Sequence, residues 1–259
     1  MKRFLSIFMI MMVVSFFQPM NDVAAYGWGF KQSKEGKPPE FGIYEKIIDK
    51  YRTLYIGNTD EKEIYFTFDQ GYEAGYTEKV LDVLKKYDVP ATFFVTGHYV
   101  KEEPELIKRM VKDGHQIGNH SYHHKDFTKI SKDEMYEDIE KLDKAVEKIT
   151  GEKQLVYLRP PKGTFNEKSL QWAEEKGYIH VFWSLAYKDW ERDKTEGWKY
   201  SYDKMMQQVH PGAIVLLHTV SKDNAEALEH VIEKLQKEGY TFKDLDDLMI
   251  QQFIDTTLF

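Results

Sequence analysis

The side chains able to do chemistry form a short ordered series: Asp69 with Gln70, His120 with His124, Arg159, Asp189 with Trp190, and His218. A carboxylate within reach of a water can act as a general base. Asp69, in Thr67-Phe68-Asp69-Gln70-Gly71, could do this, or could simply stop a strand through an Asx-turn with the glycine beyond. His120 and His124 stand four apart, so one helical turn would put both imidazoles on one face, close enough to share a metal ion. With His115 and His123 nearby, the same stretch also reads as a solvated histidine-rich loop. Arg159 opens Arg159-Pro160-Pro161-Lys162-Gly163, where the prolines fix the backbone and the guanidinium can hold a carboxylate bidentately, unless it is a surface arginine at a loop start. Asp189 can orient a histidine and Trp190 can face a sugar, or the indole can fill the core under a loop. His218 ends the apolar run Ile214-Val215-Leu216-Leu217, a place for a buried structural imidazole or for a general acid.

These residues need a frame, and the apolar patterning supplies one. Strand patterns at Ile64 to Phe68, Ala91 to Thr96, His115 to Gly118, Leu155 to Leu158, Ile179 to Ser184, Ala213 to Leu217 and Tyr240 to Phe242 alternate with helical ones. The helices are expected from Thr77, over Pro104 to Asp113, from a capping box at Ser131 and Glu134 to about Ile149, near Asn166 to Lys176, near Tyr202 to Gln208, and over Asn224 to Lys237. Such alternation predicts a parallel-strand α/β architecture, open sheet or barrel. In either, ligands sit beyond the carboxyl ends of the strands, which is where the reactive series falls.

The composition narrows the classes. Hydrophobic residues at 42% and charged residues at 31% describe a globular chain, and 36 Lys+Arg against 43 Asp+Glu give a net charge of -7, which argues against nucleic acid as a partner. There is no cysteine, so disulfides, thiolate nucleophiles and Cys-type zinc sites are excluded and any metal or hydrolytic chemistry falls to His, Asp and Glu. Lys2 and Arg3 precede an apolar run from Phe4 to Phe17, and Val23-Ala24-Ala25 has the small-residue pattern of a cleavage site. Residues 1–25 are therefore expected to be a signal peptide. The run is shorter than the roughly 20 residues of a membrane span, so no stable span is expected after processing. Residues 26–60 read as an irregular arm with a short helix near Tyr44 to Tyr51, and residues 61–259 as the catalytic domain, expected to be monomeric.

Taken in order, TFDQ at 67 to 70, HSYHH at 120 to 124, RPPKG at 159 to 163, DW at 189 to 190 and LLH at 216 to 218 resemble the polysaccharide deacetylases of carbohydrate esterase family 4, over about Glu63 to Leu248. The resemblance implies a distorted (β/α) barrel of about seven parallel strands and a divalent metal, zinc above all, in a groove where acetyl groups leave N-acetylated glycans. It makes Asp69 the base, His120 and His124 metal ligands, Arg159 the residue positioning the base, Asp189 the residue tuning the acid, and His218 the acid. It places Trp190 and Leu216 at the acetyl pocket, with Pro161 and Tyr72 also on the substrate side and the backbone N–H near Tyr72 as an oxyanion donor. Two departures stand out. Gln70 replaces the usual second Asp, the third ligand, with a neutral amide, which is a weaker donor to a cation. Ala186 stands where the fourth motif carries its first Asp.

The TFDQG variant, the Trp28-Gly29-Phe30 arm and Ala225-Glu226-Ala227-Leu228 are most similar to the exported muramic acid N-deacetylases of spore cortex formation, whose product cyclises to the δ-lactam. That subgroup implies peptidoglycan glycan strands as substrate and a cell-wall or spore-envelope location. Two other functions compete: a metal hydrolase of small amides, and a wall-glycan binding module that lost turnover with Gln70.

Overall fold

The computed structural model describes residues 24–32, 35–191 and 195–254. The expected signal peptide, but for its last two residues, lies outside them. The elements begin with β1 (Tyr26–Gly27), α1 (Ile43–Ile48), β2 (Thr53–Leu54), β3 (Glu63–Gln70), α2 (Thr77–Lys86), β4 (Ala91–Val95), α3 (Gly97–Glu102), α4 (Pro104–Lys112) and β5 (Gln116–Asn119). They continue with α5 (Lys132–Thr150), β6 (Tyr157–Leu158), β7 (Thr164–Phe165), α6 (Glu167–Glu175), β8 (Ile179–Val181), α7 (Trp198–Met206), β9 (Ala213–His218), α8 (Lys222–Lys237), β10 (Thr241–Phe242) and α9 (Leu245–Phe253).

Among the described residues eight strands form one sheet, all neighbours parallel, in the order β10-β3-β4-β5-β6-β8-β2, with β9 also paired to β3. The sheet curls. After Phe182, whose N–H still donates to Leu54 O at 2.8 Å, the chain leaves β2, and the Leu185 N–H donates to Ile214 O at 3.1 Å while the Leu216 N–H donates to Leu185 O at 2.9 Å. That crossing brings the β8 side back to β9 and gives the distorted parallel-strand barrel that the resemblance implied. It also explains why the apolar run at 179 to 184 ends as a strand at Val181: its last residues switch partners.

Alternation along each strand sorts the core into two compartments. Tyr65, Phe94, Tyr157, Val181 and Ile214 form one cluster inside the curl, floored by Leu245 and Leu248 of α9. Phe66, Phe68, Phe93, Val95, Val215 and Leu217 face the opposite way, against the helices. Gly118 of β5 permits this inner packing, since a Cβ there would lie 2.4 Å from the Phe94 ring.

The helices follow local chemistry. Ser131 and Glu134 make the expected capping box on α5, and Gly151 closes the helix at φ 84°. Helix α7 starts at Trp198, four residues before the expected turn, and the short α3 and α9 carry too little apolar periodicity to be foreseen. The segment 26–60 is built into the barrel wall: β1 pairs antiparallel with β7, and β2 joins the main sheet beside β8. Trp28 anchors it, its ring stacked 4.5 Å from Phe182 and its Nε1–H donated to Trp183 O at 2.9 Å.

Candidate active site

The carboxyl ends of β3, β4, β5 and β9 open into a cleft of about 610 Å³ lined by Asp69, Tyr72, His120, His124, Trp190 and His218 among others. Asp69 sits on the inward face of β3, directly beside His218 in the β3–β9 register. Below it lies Arg159, at the loop start just past β6 but 0% exposed, which rules out the surface arginine that the sequence left open. Its guanidinium donates to Asp69 Oδ1 at 2.7 Å, to Thr67 Oγ1 at 2.8 Å and to Val181 O at 3.1 Å, over the Phe94 ring at 4.1 Å. The cation therefore belongs to the barrel interior and braces the base from beneath. Burial alone would raise the Asp69 carboxyl, but the charge of the Arg159 guanidinium beside it outweighs burial and holds Asp69 below the usual carboxylate range.

His120 Nδ1–H donates to Arg159 O at 2.9 Å, which fixes the tautomer and turns Nε2 toward Asp69 Oδ2, 3.4 Å away. The His124 ring stands edge-on to it, centroids 5.0 Å apart. Burial pushes both imidazoles below their ordinary value, His124 to about 4, so both are neutral near pH 7 with ring nitrogens able to act as ligands. The helical turn expected for this pair is absent. Residues 120–124 form a non-helical loop, with Ser121 and His124 at positive φ.

Across the cleft, His218 Nδ1–H donates to Asp189 Oδ1 at 2.7 Å, and the His218 backbone N–H to Asp189 Oδ2 at 2.7 Å. Asn224 of α8 also donates to Asp189, a partner that the sequence reading missed. Burial by itself would lower His218, but the Asp189 carboxylate overrides it and the imidazole titrates above its ordinary value. Trp190, 49% exposed, stands edge-on to His218 with centroids 5.8 Å apart.

Three predicted residues are placed otherwise. Gln70 lies on the opposite face of β3 from Asp69 and accepts a hydrogen bond from Thr219 Oγ1 at 2.8 Å, so the amide expected as a third ligand is engaged away from the cleft. Leu216, on the same face of β9 as His218, and Pro161 are buried and are not among the residues lining the cleft. Thr96, His98, Lys101, Tyr122, His123 and Val220 line it instead. Most come from α3 and the histidine loop, whose placement no spacing in the sequence announces.

A buried carboxylate held by arginine, a histidine pair, and an imidazole paired with a second carboxylate, all at the open end of a curled parallel sheet, are groups that an amide hydrolase can use. The chain belongs to the polysaccharide deacetylase family, whose pattern matches residues 56–181. It is similar to the peptidoglycan-N-acetylmuramic acid deacetylase PdaA of Bacillus subtilis, 54% identical over 87% of this chain and 86% of that one. The solved structure of that protein, a family 4 carbohydrate esterase, superimposes with a TM-score of 0.86 over 88% of this chain and 98% of its own. A family 4 carbohydrate esterase from Bacillus anthracis, 44% identical, gives a TM-score of 0.73 over 87% of this chain and 96% of that one.

Proposed function

We propose that this polysaccharide deacetylase hydrolyses the N-acetyl group of N-acetylmuramic acid in peptidoglycan glycan strands, acting outside the cytoplasm in spore cortex. The observation that carries the reaction class is the opposed pairing of Asp69 with Arg159 and His218 with Asp189 across one cleft. Similarity to PdaA carries the choice of sugar.

The family's deacetylases are metal-dependent, and the residues present suit a divalent ion, zinc above all. His120 and His124 would hold it: both are neutral, and His120 has its Nδ1–H committed to a backbone carbonyl, the usual outer support of a metal-binding imidazole. Once bound, such an ion supplies a Lewis acid that polarises the acetyl carbonyl and acidifies a water. The protein's residues do the rest. Asp69, kept ionised by Arg159, takes the proton from the attacking water. The backbone N–H near Tyr72 faces the oxygen on which negative charge develops. His218, kept cationic by Asp189, gives a proton to the leaving amine, and Trp190 offers the sugar an aromatic wall. Acetate and a free amino sugar result.

The test is acetate release from purified glycan strands, followed by identification of the deacetylated sugar by mass spectrometry. Release that depends on added metal, disappears in Asp69→Ala and leaves muramic acid as the free amine is expected. Deacetylated glucosamine instead would overturn the choice of sugar. Strand binding without acetate release would favour the binding-module reading.

A further inference from the structure

We propose that Asp138, a buried carboxylate on α5, is the positioning residue that sets the geometry of the His120 and His124 pair. The inference rests on the reading above that this pair holds the metal. The loop carrying the pair passes through two non-glycine residues at positive φ, Ser121 at 63° and His124 at 55°. Such backbone is costly for L residues and persists only where the surroundings over-determine it.

Helix α5 provides that constraint. Asp138 is 2% exposed, and its Oδ2 accepts the backbone N–H groups of Tyr122 at 3.0 Å and His123 at 3.3 Å, while Oδ1 accepts from His123 Nδ1–H. These three donors lie between the two proposed ligands. One turn further along the helix, Asp143 accepts from Asn119 Nδ2 at 2.9 Å, and Asn119 Oδ1 accepts the Ser121 N–H at 2.8 Å. Asp143 thus ties down the end of β5, and Asp138 ties down the loop itself. A buried carboxylate without donors is strongly disfavoured, so helix and loop hold each other in one arrangement. His123 serves as a fastening for the loop, its ring turned to Asp138 and its Nε2 3.3 Å from Lys141 Nζ. Outer-sphere groups that orient ligands in this way are worth roughly 10- to 100-fold in metal affinity.

The experiment titrates metal-free protein with Co²⁺ and follows the visible absorption of the bound ion, a readout independent of turnover. Asp138→Asn keeps one oxygen for both backbone N–H groups, and its amide can donate to the other His123 tautomer, so near-normal affinity and spectrum are expected. Asp138→Ala should bind roughly 10- to 100-fold more weakly with an altered spectrum. Should Asp138→Ala not fold, Asp138→Glu carries the test, with weakened binding expected from the displaced carboxylate. Leu142→Ala, fully buried on the same helix, controls for lost stability and should keep its affinity. Unchanged affinity and spectrum in Asp138→Ala, or in Asp138→Glu where it carries the test, would overturn the proposal, as would an equal loss in Leu142→Ala. His120→Ala and His124→Ala separate the two readings: if they bind Co²⁺ as the wild type does, the metal assignment itself fails.

Discussion

Arg159 reaches Asp69 from below, its guanidinium nitrogen 2.7 Å from the carboxylate, and the arginine is wholly enclosed by the barrel. The carboxylate proposed as the base is thereby one half of a buried ion pair. Removing the cation leaves the carboxylate in the same place without its main compensation.

Arg159→Leu is accordingly expected to raise the Asp69 pKa and to cost about 3–5 kcal/mol of stability. Asp69 works as the anion, so a higher pKa moves the acidic limb of the pH–rate profile upward, and activity is lost sooner as pH falls. A profile with an unmoved acidic limb would detach Arg159 from the base. Arg159→Lys should rescue only in part, because an ammonium cannot reproduce the donors to Asp69, Thr67 and Val181 together.

Asp189→Asn is expected to act on the other limb. The carboxylate raises the His218 pKa, and His218 works as the cation, so its loss should move the basic limb to lower pH. The neutral amide can still accept the His218 backbone N–H, so the fold should survive while kcat falls by roughly 10²- to 10³-fold, within the usual range of acid–base contributions. Paired kcat and pH-profile measurements check this.

How far the site was legible depended on whether chemistry lay in one segment or between segments. Asp69, His218 and Asp189 sit at ends of strong apolar runs or in short motifs, and the structure brings Asp69 and His218 to one cleft, with Asp189 buried and paired to His218. Arg159 reads as a loop residue because its neighbours are prolines, and only closure of the barrel encloses it. Gln70 follows Asp69 in sequence, but β3 remains extended through it, so alternation turns it to the helix side. The histidine loop is governed by Asp138 and Asn119, whose roles exist only once α5 packs against β5. In the fold, long runs announced β3, β4, β9 and α5, whereas two-residue strands such as β2 owe their conformation to neighbours.

His115 supplies a stability prediction apart from the site. Among the described residues neither of its buried ring nitrogens has a hydrogen-bond partner, the ring stands edge-on to Phe93, and burial pushes the imidazole down to about 4. The unfolded chain takes up that proton at its ordinary pKa of about 6.5. The folded form's advantage is therefore complete above pH 6.5 and declines as pH falls from there toward 4. His115→Leu should stabilise the protein against urea by about 1–3 kcal/mol, more at pH 5 than at pH 8. Equal denaturation midpoints for the two proteins at pH 5 would refute this.

Trp28→Ala tests the segment before the barrel. The indole stacks on Phe41 and Phe182 and donates to the Trp183 carbonyl, so its loss should cost about 3–5 kcal/mol. If the segment were only draped on the surface, urea denaturation would register well under 1 kcal/mol, the usual range for surface substitutions.

The register that sets Asp69 beside His218 joins an early strand to a late one. During synthesis β3 emerges long before β9, and the floor of the barrel, Leu245 and Leu248, comes later still. A nascent chain therefore carries Asp69, the histidine pair and Arg159 before His218 and the floor of the barrel have been made. Such non-local pairing slows folding, because the loop between the two strands must close before their contacts form. Closure of the cleft thus waits on elements far from β3 in sequence, so the early strands by themselves present only half of the opposed pairing.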